Sequence, residues 1–288
     1  MATPQRKLHS LEGIVAACAL FFVLALTVGF AQANPQKVML LRSSSALVLD
    51  AETGEIVFNK NSEAVVPIAS ITKLMTAMVL LDRGLDLEQR VVLSREDVDA
   101  MKGTRSRLRT GSVLTRNELL LLALMASENR AAAALGRTYP GGVPAFVIAM
   151  NEKAAELGMT DSRFVEPTGL SPANVSSPRD LAKLVRAAHG YPLIREYSTR
   201  DQAKVNAYGR PIAFRNTNGL VRNNQWEIGL SKTGYISEAG RCLVMRVRMA
   251  SKDLYVVLLD SWGKQSRIGD ANRIRKWLET NASRAQRS

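Results

Sequence analysis

The chain has 288 residues, of which 46% are hydrophobic and 23% are charged, enough for one large globular domain or two lobes. Its formal net charge is +13, which favours anionic polymers and anionic membrane surfaces as partners. Aromatic residues make up only 6% and do not alternate with the basic clusters, which argues against a nucleic-acid-binding protein.

The first segment has the features of a secretory signal peptide. Arg6 and Lys7 precede an apolar stretch over residues 13–30, and Ala31-Gln32-Ala33 follows as a small-residue cleavage site. We therefore expect a signal peptide over residues 1–33, cleaved after Ala33, and a mature domain over residues 34–288. The alternative is an uncleaved membrane anchor, because about 18 apolar residues are enough to span a bilayer.

Removal of the signal peptide leaves Cys242 as the single cysteine, so the mature chain has no intramolecular disulfide. Leu243, Met245 and Val247 alternate with other residues after it, as in a half-buried strand. This pattern predicts that Cys242 is a structural residue and not a reactive thiol.

Strands are predicted first and helices after them. Residues 46–50 and 55–59 flank a Gly-containing turn and form a hairpin. The period becomes helical at Ser70, and Gly84 is a typical C-terminal cap. Further helices are predicted over residues 117–125, 130–137 and 143–157, and a fourth opens at residues 177–180, with Ser177 as its N-cap and Pro178 in its first turn.

The strand pattern returns near the end of the chain. A short strand over residues 232–236 precedes an antiparallel pair, 241–249 and 254–260, and a last helix covers about 266–278. The predicted fold is therefore of the α/β class, with an antiparallel sheet built from both chain ends and a helical lobe inserted between them. We place the sheet lobe at about 34–66 and 205–288, and the helical lobe at about 67–204.

Histidine chemistry is nearly excluded. The one histidine left after export is His189, at a predicted helix end, where it is better explained as a capping residue. The sequence has no histidine cluster, no C-x-x-C pair and no glycine-rich phosphate loop, so we predict neither a metal nor a cofactor.

A lysine in an apolar helix offers a different base. Lys73 is the only charged residue between Glu63 and Asp82, and Ser70 precedes it by three positions. Residues at this spacing project from one helical face. Burial lowers the pKa of a lysine, and a neutral lysine can remove the proton of a neighbouring serine.

The S-x-x-K pattern alone is weak, because it arises by chance about once in a chain of this length. Ser261-Trp262-Gly263-Lys264 is a second copy, but it follows a buried strand and contains a glycine. It is therefore predicted to lie in a turn, where the serine and lysine do not share a helical face.

Two further patterns accompany the first copy. Ser127-Glu128-Asn129 lies between two predicted helices, where Ser127 and Asn129 either point into one cleft or only cap helices. Lys232-Thr233-Gly234 begins a predicted strand, where it offers a cation, a hydroxyl and a closely approachable backbone, or is a plain turn.

The three patterns occur in the order S-x-x-K, S-x-N and K-T-G, with gaps of about fifty and a hundred residues. This set resembles the active-site motifs of the penicillin-binding proteins and class A β-lactamases. Residues 164–170, 229–235 and 238–244 are similar to the D-alanyl-D-alanine carboxypeptidase/endopeptidase family of low-molecular-mass penicillin-binding proteins, most of all to its endopeptidases of the penicillin-binding protein 7 type. The resemblance covers essentially the whole mature chain.

The resemblance implies a DD-peptidase/β-lactamase-like fold with the active site between the two lobes. It implies that Ser70 is the acylated nucleophile, Lys73 its general base and Ser127 the relay that protonates the departing amine. Asn129 is expected to hold the peptide backbone of the substrate.

The third motif is expected to bind the substrate and stabilise the oxyanion. Lys232 and Thr233 would meet a carboxylate, and Gly234 would allow close approach of the substrate. The backbone N–H groups of Ser70 and Tyr235 would form the oxyanion hole.

The implied function is hydrolysis of D-alanyl bonds in peptidoglycan in the periplasm, most of all of cross-links, with β-lactam antibiotics as covalent inhibitors. The alternatives are a carboxypeptidase of the same family, a class A-like β-lactamase, and a non-catalytic β-lactam- or wall-binding protein.

Glu128 stands where the family often has Asp or Gly. Glu166 lacks the asparagine context of the deacylating glutamate of β-lactamases and receives no catalytic role. The chain ends ten residues after Leu278, which favours an enzyme without the C-terminal β-domain and membrane-binding helix of the carboxypeptidases, at most loosely associated with a membrane surface.

Overall fold

The fold is taken from a computed structural model that describes residues 39–285. The predicted signal peptide and its cleavage site lie outside these residues. The central element is an antiparallel sheet of five strands: β1 (Ser43–Asp50), β2 (Ile56–Lys60), β9 (Glu227–Ile236), β10 (Gly240–Met249) and β11 (Lys252–Ser261). Their order across the sheet is β2-β1-β11-β10-β9. The predicted antiparallel sheet built from both chain ends is confirmed.

Alternating apolar residues give the sheet two buried faces. Leu47 pairs with Val257 and Val48 with Val256, and the two pairs belong to different hydrophobic clusters on opposite faces. A fully buried aliphatic side chain contributes about 1.5–3 kcal/mol. One face is covered by the C-terminal helix α7 (Ser266–Ala285), and the other packs against the inserted helices.

Six helices lie between the two groups of strands: α1 (Thr72–Asp82), α2 (Arg116–Met125), α3 (Asn129–Arg137), α4 (Gly142–Glu156), α5 (Pro178–His189) and α6 (Pro192–Thr199). Their ends follow local chemistry. Thr115 and Glu118 form a capping box before α2, and Ser177 caps α5 as predicted. Gly84, at φ +64°, closely follows the end of α1.

Short antiparallel pairs connect these helices: β3 (Val66–Pro67) with β6 (Val175–Ser176), β4 (Arg90–Val92) with β5 (Val113–Thr115), and β7 (Gln202–Ala207) with β8 (Arg210–Arg215). The β7–β8 hairpin was not predicted from the sequence. Its two-residue turn, Tyr208-Gly209, has positive φ at both positions, as a type I′ turn requires. Tyrosine is an unusual residue in that conformation, so the turn gave no clear signal.

Two predicted boundaries were wrong by five or more residues. The strand predicted at residues 232–236 is β9, which extends over Glu227–Ile236 because its pairing with β10 runs from Glu227 opposite Arg248 to Ile236 opposite Gly240. The missed residues include Glu227 and Gly229, which are types depleted in strands, and pairing with β10 overrides this low propensity. The last helix, α7, also extends beyond residue 278, to Ala285.

Candidate active site

The first site element is the turn that precedes α1. Ser70 lies in the 3₁₀ turn Ala69–Ile71, and Lys73 lies in the first turn of α1. The Lys73 Nζ donates a hydrogen bond to the Ser70 Oγ at 2.8 Å. The predicted pairing of these residues on one face is therefore confirmed.

Two glycines let the backbone around Ser70 pack closely against neighbouring segments. A Cβ atom on Gly169, which has φ +81°, would lie only 2.0 Å from the carbonyl oxygen of Ala69. A Cβ atom on Gly234 would lie 2.9 Å from the carbonyl oxygen of Ile68 and 3.1 Å from the nitrogen of Ser70. Ala69 itself has φ +48°, a sparsely populated value for a residue with a side chain. The Ser70 turn is thus held in a strained conformation between two close backbone contacts.

Lys73 is fully buried and has three hydrogen-bond acceptors. Besides Ser70, its Nζ donates to the Asn129 Oδ1 at 2.8 Å and to the Thr168 carbonyl at 2.5 Å. Burial lowers the pKa of Lys73 to about 8, against the opposing charges of Glu166 and Glu128. A substantial fraction of Lys73 is therefore neutral just above neutral pH, which is the state that accepts a proton.

Glu166 organises the loop that lies over Lys73. Its carboxylate accepts hydrogen bonds from the backbone N–H groups of Thr168 and Gly169, both at 2.6 Å, and from the Asn174 amide at 2.8 Å. These contacts fix the Thr168 carbonyl that Lys73 contacts and the glycine that packs on Ala69. They account for Glu166 without a catalytic role.

The second motif lies where α2 ends and α3 begins, as predicted. Ser127 has φ +55°, a strained value for a serine, and the two flanking helices hold it there. Asn129 opens α3, and its side-chain oxygen Oδ1 accepts the hydrogen bond from Lys73. Glu128 caps α3 by accepting from the Arg130 N–H at 3.3 Å. The break between the helices brings the first and second motifs together.

The third motif completes the cluster from the edge strand β9. Lys232 is 1% exposed, and its Nζ donates to the Ser127 Oγ at 2.8 Å and to the Thr233 carbonyl at 2.9 Å. Burial, with the charges of Lys73 and Arg267, lowers the pKa of Lys232 well below its ordinary value. All three motifs therefore meet through Lys73 and Lys232.

Three threonines near the motifs were not predicted as parts of the site. The Thr217 and Thr233 hydroxyls are 2.6 Å apart, the Thr104 hydroxyl accepts from the Asn129 amide at 3.0 Å, and the Thr168 carbonyl contacts Lys73. Thr168 lies within the stretch 164–170 that resembles the peptidase family, so it carried a signal. Thr217 and Thr104 carried none, because their contacts depend on packing of distant segments.

Tyr235 follows the glycine of the third motif on β9. Its side chain is 57% exposed, and the Arg241 guanidinium lies 4.5 Å from the centre of its ring. The carbonyl of Gly234 accepts from Arg267 at 3.0 Å. The backbone at Gly234 lies beside the nitrogen of Ser70, so the Ser70 turn and β9 are adjacent where an oxyanion hole is expected.

A cavity of about 270 Å³ adjoins this cluster. Asn129, Thr168 and Glu166 line one side of it, and Met101 and Leu170 are among its apolar walls. Lys102, the neighbour of Met101 in the chain, forms an ion pair with Glu238, which lies in the turn after β9. The cavity offers room for a substrate group beside Asn129.

The other residues singled out in the sequence lie apart from these contacts. Cys242 is fully buried, and burial raises the pKa of its thiol to about 11, as expected for a structural cysteine. His189 ends α5, where its carbonyl accepts from Arg195 at 2.6 Å. Ser261 ends β11 and its hydroxyl contacts that of Ser43, so it does not share a helical face with Lys264.

Residues 39–285 contain no group of three or more His, Cys, Asp and Glu side chains placed to hold a metal ion. None of their helices combines the length and the apolar character needed to span a bilayer.

Comparison with known proteins agrees with this geometry. The family model described as D-alanyl-D-alanine carboxypeptidase matches residues 31–263. The D-alanyl-D-alanine endopeptidase of Pseudomonas aeruginosa is 47% identical over 275 residues, which cover 93% of this chain and 88% of the relative. The D-alanyl-D-alanine endopeptidase of Escherichia coli is 48% identical over 242 residues, 83% of this chain and 78% of the relative.

The fold has a solved counterpart. The crystal structure of the Streptomyces K15 DD-transpeptidase superposes with a TM-score of 0.75 at 26% identity, and the match covers 83% of this chain and 97% of that chain. The predicted DD-peptidase-like fold is confirmed by this similarity.

Proposed function

Because the chain belongs to the D-alanyl-D-alanine carboxypeptidase family of serine peptidases, we propose that it hydrolyses D-alanyl peptide bonds in peptidoglycan, chiefly those of cross-links. The observation that carries this proposal is the hydrogen bond of 2.8 Å between the buried Lys73 Nζ and the Ser70 Oγ. It joins a nucleophile to a base whose pKa, about 8, suits proton transfer near neutral pH.

Acylation begins at Ser70. Its Oγ attacks the carbonyl carbon of the D-alanyl bond while its proton passes to the neutral Lys73 amine. The backbone N–H groups of Ser70 and Tyr235 stabilise the oxyanion that develops on the carbonyl oxygen. The carbon–nitrogen bond then breaks, and Ser127, hydrogen-bonded to Lys232, delivers a proton to the departing amine. The proton held by Lys73 then restores the Ser127 hydroxyl, which leaves Lys73 neutral again. Water attacks the resulting ester on Ser70 and gives a proton to Lys73. The ester carbon–oxygen bond breaks, and that proton returns to the Ser70 Oγ as the free carboxylate product leaves.

The remaining motif residues bind the substrate. Asn129 holds the backbone of the peptide substrate. The acyl portion of the substrate extends into the neighbouring cavity of about 270 Å³. Lys232 and Thr233 receive a substrate carboxylate, and that negative charge raises the lowered pKa of Lys232 and restores its ammonium form. Gly234 lets the substrate run along the edge of β9.

The endopeptidase activity is proposed over the carboxypeptidase activity because both of the relatives described above are named endopeptidases.

Penicillins acylate Ser70 by the same route and are released slowly. We propose that residues 1–33 are removed on export to the periplasm, and that the mature chain divides into a sheet lobe (about 34–66 and 205–288) and a helical lobe (about 67–204). Its basic surface gives at most a loose association with membranes.

The test uses a labelled penicillin and purified cross-linked muropeptide dimers. We expect a stable adduct on Ser70 and conversion of the dimers to monomers. Rapid hydrolysis of penicillin with intact dimers would replace the proposal by a β-lactamase. Removal of a terminal D-alanine from monomers, with the dimers untouched, would replace it by a carboxypeptidase. A tight adduct without either hydrolysis would indicate a binding protein.

A further inference from the structure

The positive charge of the chain is concentrated on two segments that contain no acidic residue. Residues 100–117 carry five lysines and arginines, and residues 202–226 carry four, with no aspartate or glutamate in either. The two segments contact each other, because the Tyr208 hydroxyl donates to the Thr110 carbonyl at 2.9 Å and Arg107 donates to the Ala213 carbonyl. Together they form one surface, which we call the basic arm.

Most cations of the basic arm have no acidic partner. Within residues 39–285, no carboxylate oxygen lies within 4.0 Å of the side-chain nitrogens of six exposed residues, Arg105, Arg107, Arg109, Lys204, Arg210 and Arg215. Uncompensated cations repel one another and favour a bound anion. The arm therefore carries a charge that the fold itself does not balance.

A pocket of about 360 Å³ lies at the far end of the arm. Arg107, Arg109 and Arg210 line it, together with Tyr208 at the tip of the β7–β8 hairpin. The guanidinium of Arg107 lies 4.0 Å from the centre of the Phe214 ring, which fixes its position. Guanidinium groups match carboxylates, because their planar forks donate two parallel hydrogen bonds.

The pocket also contains an unpaired donor. Ser112 lines it, is 1% exposed, and its hydroxyl has no hydrogen-bond partner among the residues that the structure describes. A buried polar group without a partner is rare in a folded protein. An oxygen of a bound ligand would provide the missing acceptor.

The basic arm also leads to the candidate active site. The Thr104 hydroxyl, in the first segment, contacts Asn129, and the Thr217 hydroxyl, in the second, contacts Thr233. Arg210 precedes Thr217 by seven residues, mostly in β8, which places the pocket about 20 Å along the hairpin from Thr217. About six residues of extended peptide are needed to cover that distance.

We propose that this pocket is a carboxylate-binding exosite for peptidoglycan. Arg109 and Arg210 bind a carboxylate of a stem peptide while a scissile bond of the same polymer lies at Ser70. The proposal rests on the proposed function, because that function supplies a polymer whose peptides carry free carboxylates. It predicts that long or cross-linked substrates use the exosite and that small substrates do not reach it.

The test compares two double variants that lose the same charge. Arg109→Gln with Arg210→Gln removes the exosite, and Arg163→Gln with Arg186→Gln removes two exposed arginines outside the arm. Binding to purified insoluble peptidoglycan is measured by sedimentation at low and high salt. We expect the exosite variant to lose roughly tenfold in affinity at low salt and the control less than twofold. Equal losses, or no loss in the exosite variant, would overturn the proposal.

Three further measurements define the ligand. Amidation of the peptidoglycan carboxyl groups should lower the affinity of the wild-type protein to that of the exosite variant, and unchanged affinity would overturn the assignment to carboxylates. If the exosite variant loses binding to phosphatidylglycerol vesicles but keeps its binding to peptidoglycan, the ligand of the pocket is a membrane surface and not the polymer. Acylation by labelled penicillin should be equal in all variants. A wild-type protein without an adduct would refute the proposed function, whereas the binding comparison would still test the exosite.

Discussion

Lys73 and Ser70 lie one helical turn apart, and the Lys73 Nζ contacts the Ser70 Oγ at 2.8 Å. The same nitrogen contacts Asn129 and the Thr168 carbonyl, so three segments of the chain determine its position. The pair is thus held in place by parts of the fold other than the helix that carries it.

Replacing Lys73 by methionine should strongly slow acylation without unfolding the protein. Loss of the base is expected to slow acylation by penicillin about 10²–10⁴-fold. The variant no longer buries an ammonium group but loses the hydrogen bonds of Lys73, and these effects oppose each other in the free energy of unfolding. Stopped-flow acylation and thermal unfolding measure the two quantities. An adduct that forms at the normal rate would exclude Lys73 as the base.

The acylation rate should rise with pH through about pH 8. The pKa of Lys73 is lowered to about 8, so each unit below that value reduces the neutral fraction about tenfold. The rate constant of penicillin acylation, measured from pH 6 to 10, should level off above the pKa. Circular dichroism at each pH serves as the control for unfolding. A rate independent of pH across this range would contradict the role of Lys73.

The same shift predicts how stability depends on pH. Lys73 has a lower pKa in the folded state than its ordinary 10.5, so between about pH 8 and 10.5 the unfolded chain binds more protons. The free energy of unfolding should therefore rise with pH in this window, by roughly 3 kcal/mol from Lys73 alone. Below about pH 8 the cost of burying the Lys73 charge is fully present. The free energy of unfolding, measured in urea at each pH, should rise more steeply between about pH 8 and 10.5 for the wild type than for Lys73→Met. Parallel curves would argue against the shift.

Gly169→Ala should damage the site far more than Gly158→Ala. Both glycines have positive φ, +81° and +65°, so both variants bear the cost of a left-handed alanine, about 1–2 kcal/mol. Only at Gly169 would the new Cβ collide with the Ala69 carbonyl, whereas Gly158 has no neighbour within 4 Å. We expect strongly reduced acylation for Gly169→Ala and near-normal acylation for Gly158→Ala. Equal rates in the two folded variants would show that the close contact is not needed.

Thr217→Val should weaken binding of the peptide substrate. The Thr217 hydroxyl lies 2.6 Å from that of Thr233, the proposed carboxylate ligand, and one hydrogen bond contributes about 1 kcal/mol. We expect KM for a D-alanyl peptide to rise about fivefold, with a smaller change in kcat. Thr280→Val is the control, since Thr280 bonds only to a carbonyl of its own helix, α7, at 2.8 Å. A fall in kcat at constant KM would indicate a different role.

The sequence alone identified the chemical components of the site, because each motif is local. The spacing of Ser70 and Lys73 predicts a shared helical face, the break at Ser127 and Asn129 follows from two flanking helices, and alternation predicts the strands of the sheet. It did not predict the β7–β8 hairpin, or the roles of Thr104 and Thr217, since those depend on which distant segments pack together.

The tertiary structure decided how these components meet. Lys73 contacts Thr168 across 95 residues and Lys232 contacts Ser127 across 105, and no local pattern encodes such pairs. Periodicity reports only which face of an element is buried, while the contact partner follows from the packing of whole elements. The lowered pKa of Lys73 combines the two: the apolar residues around it in the sequence predict burial, and the fold removes the water and supplies the acceptors.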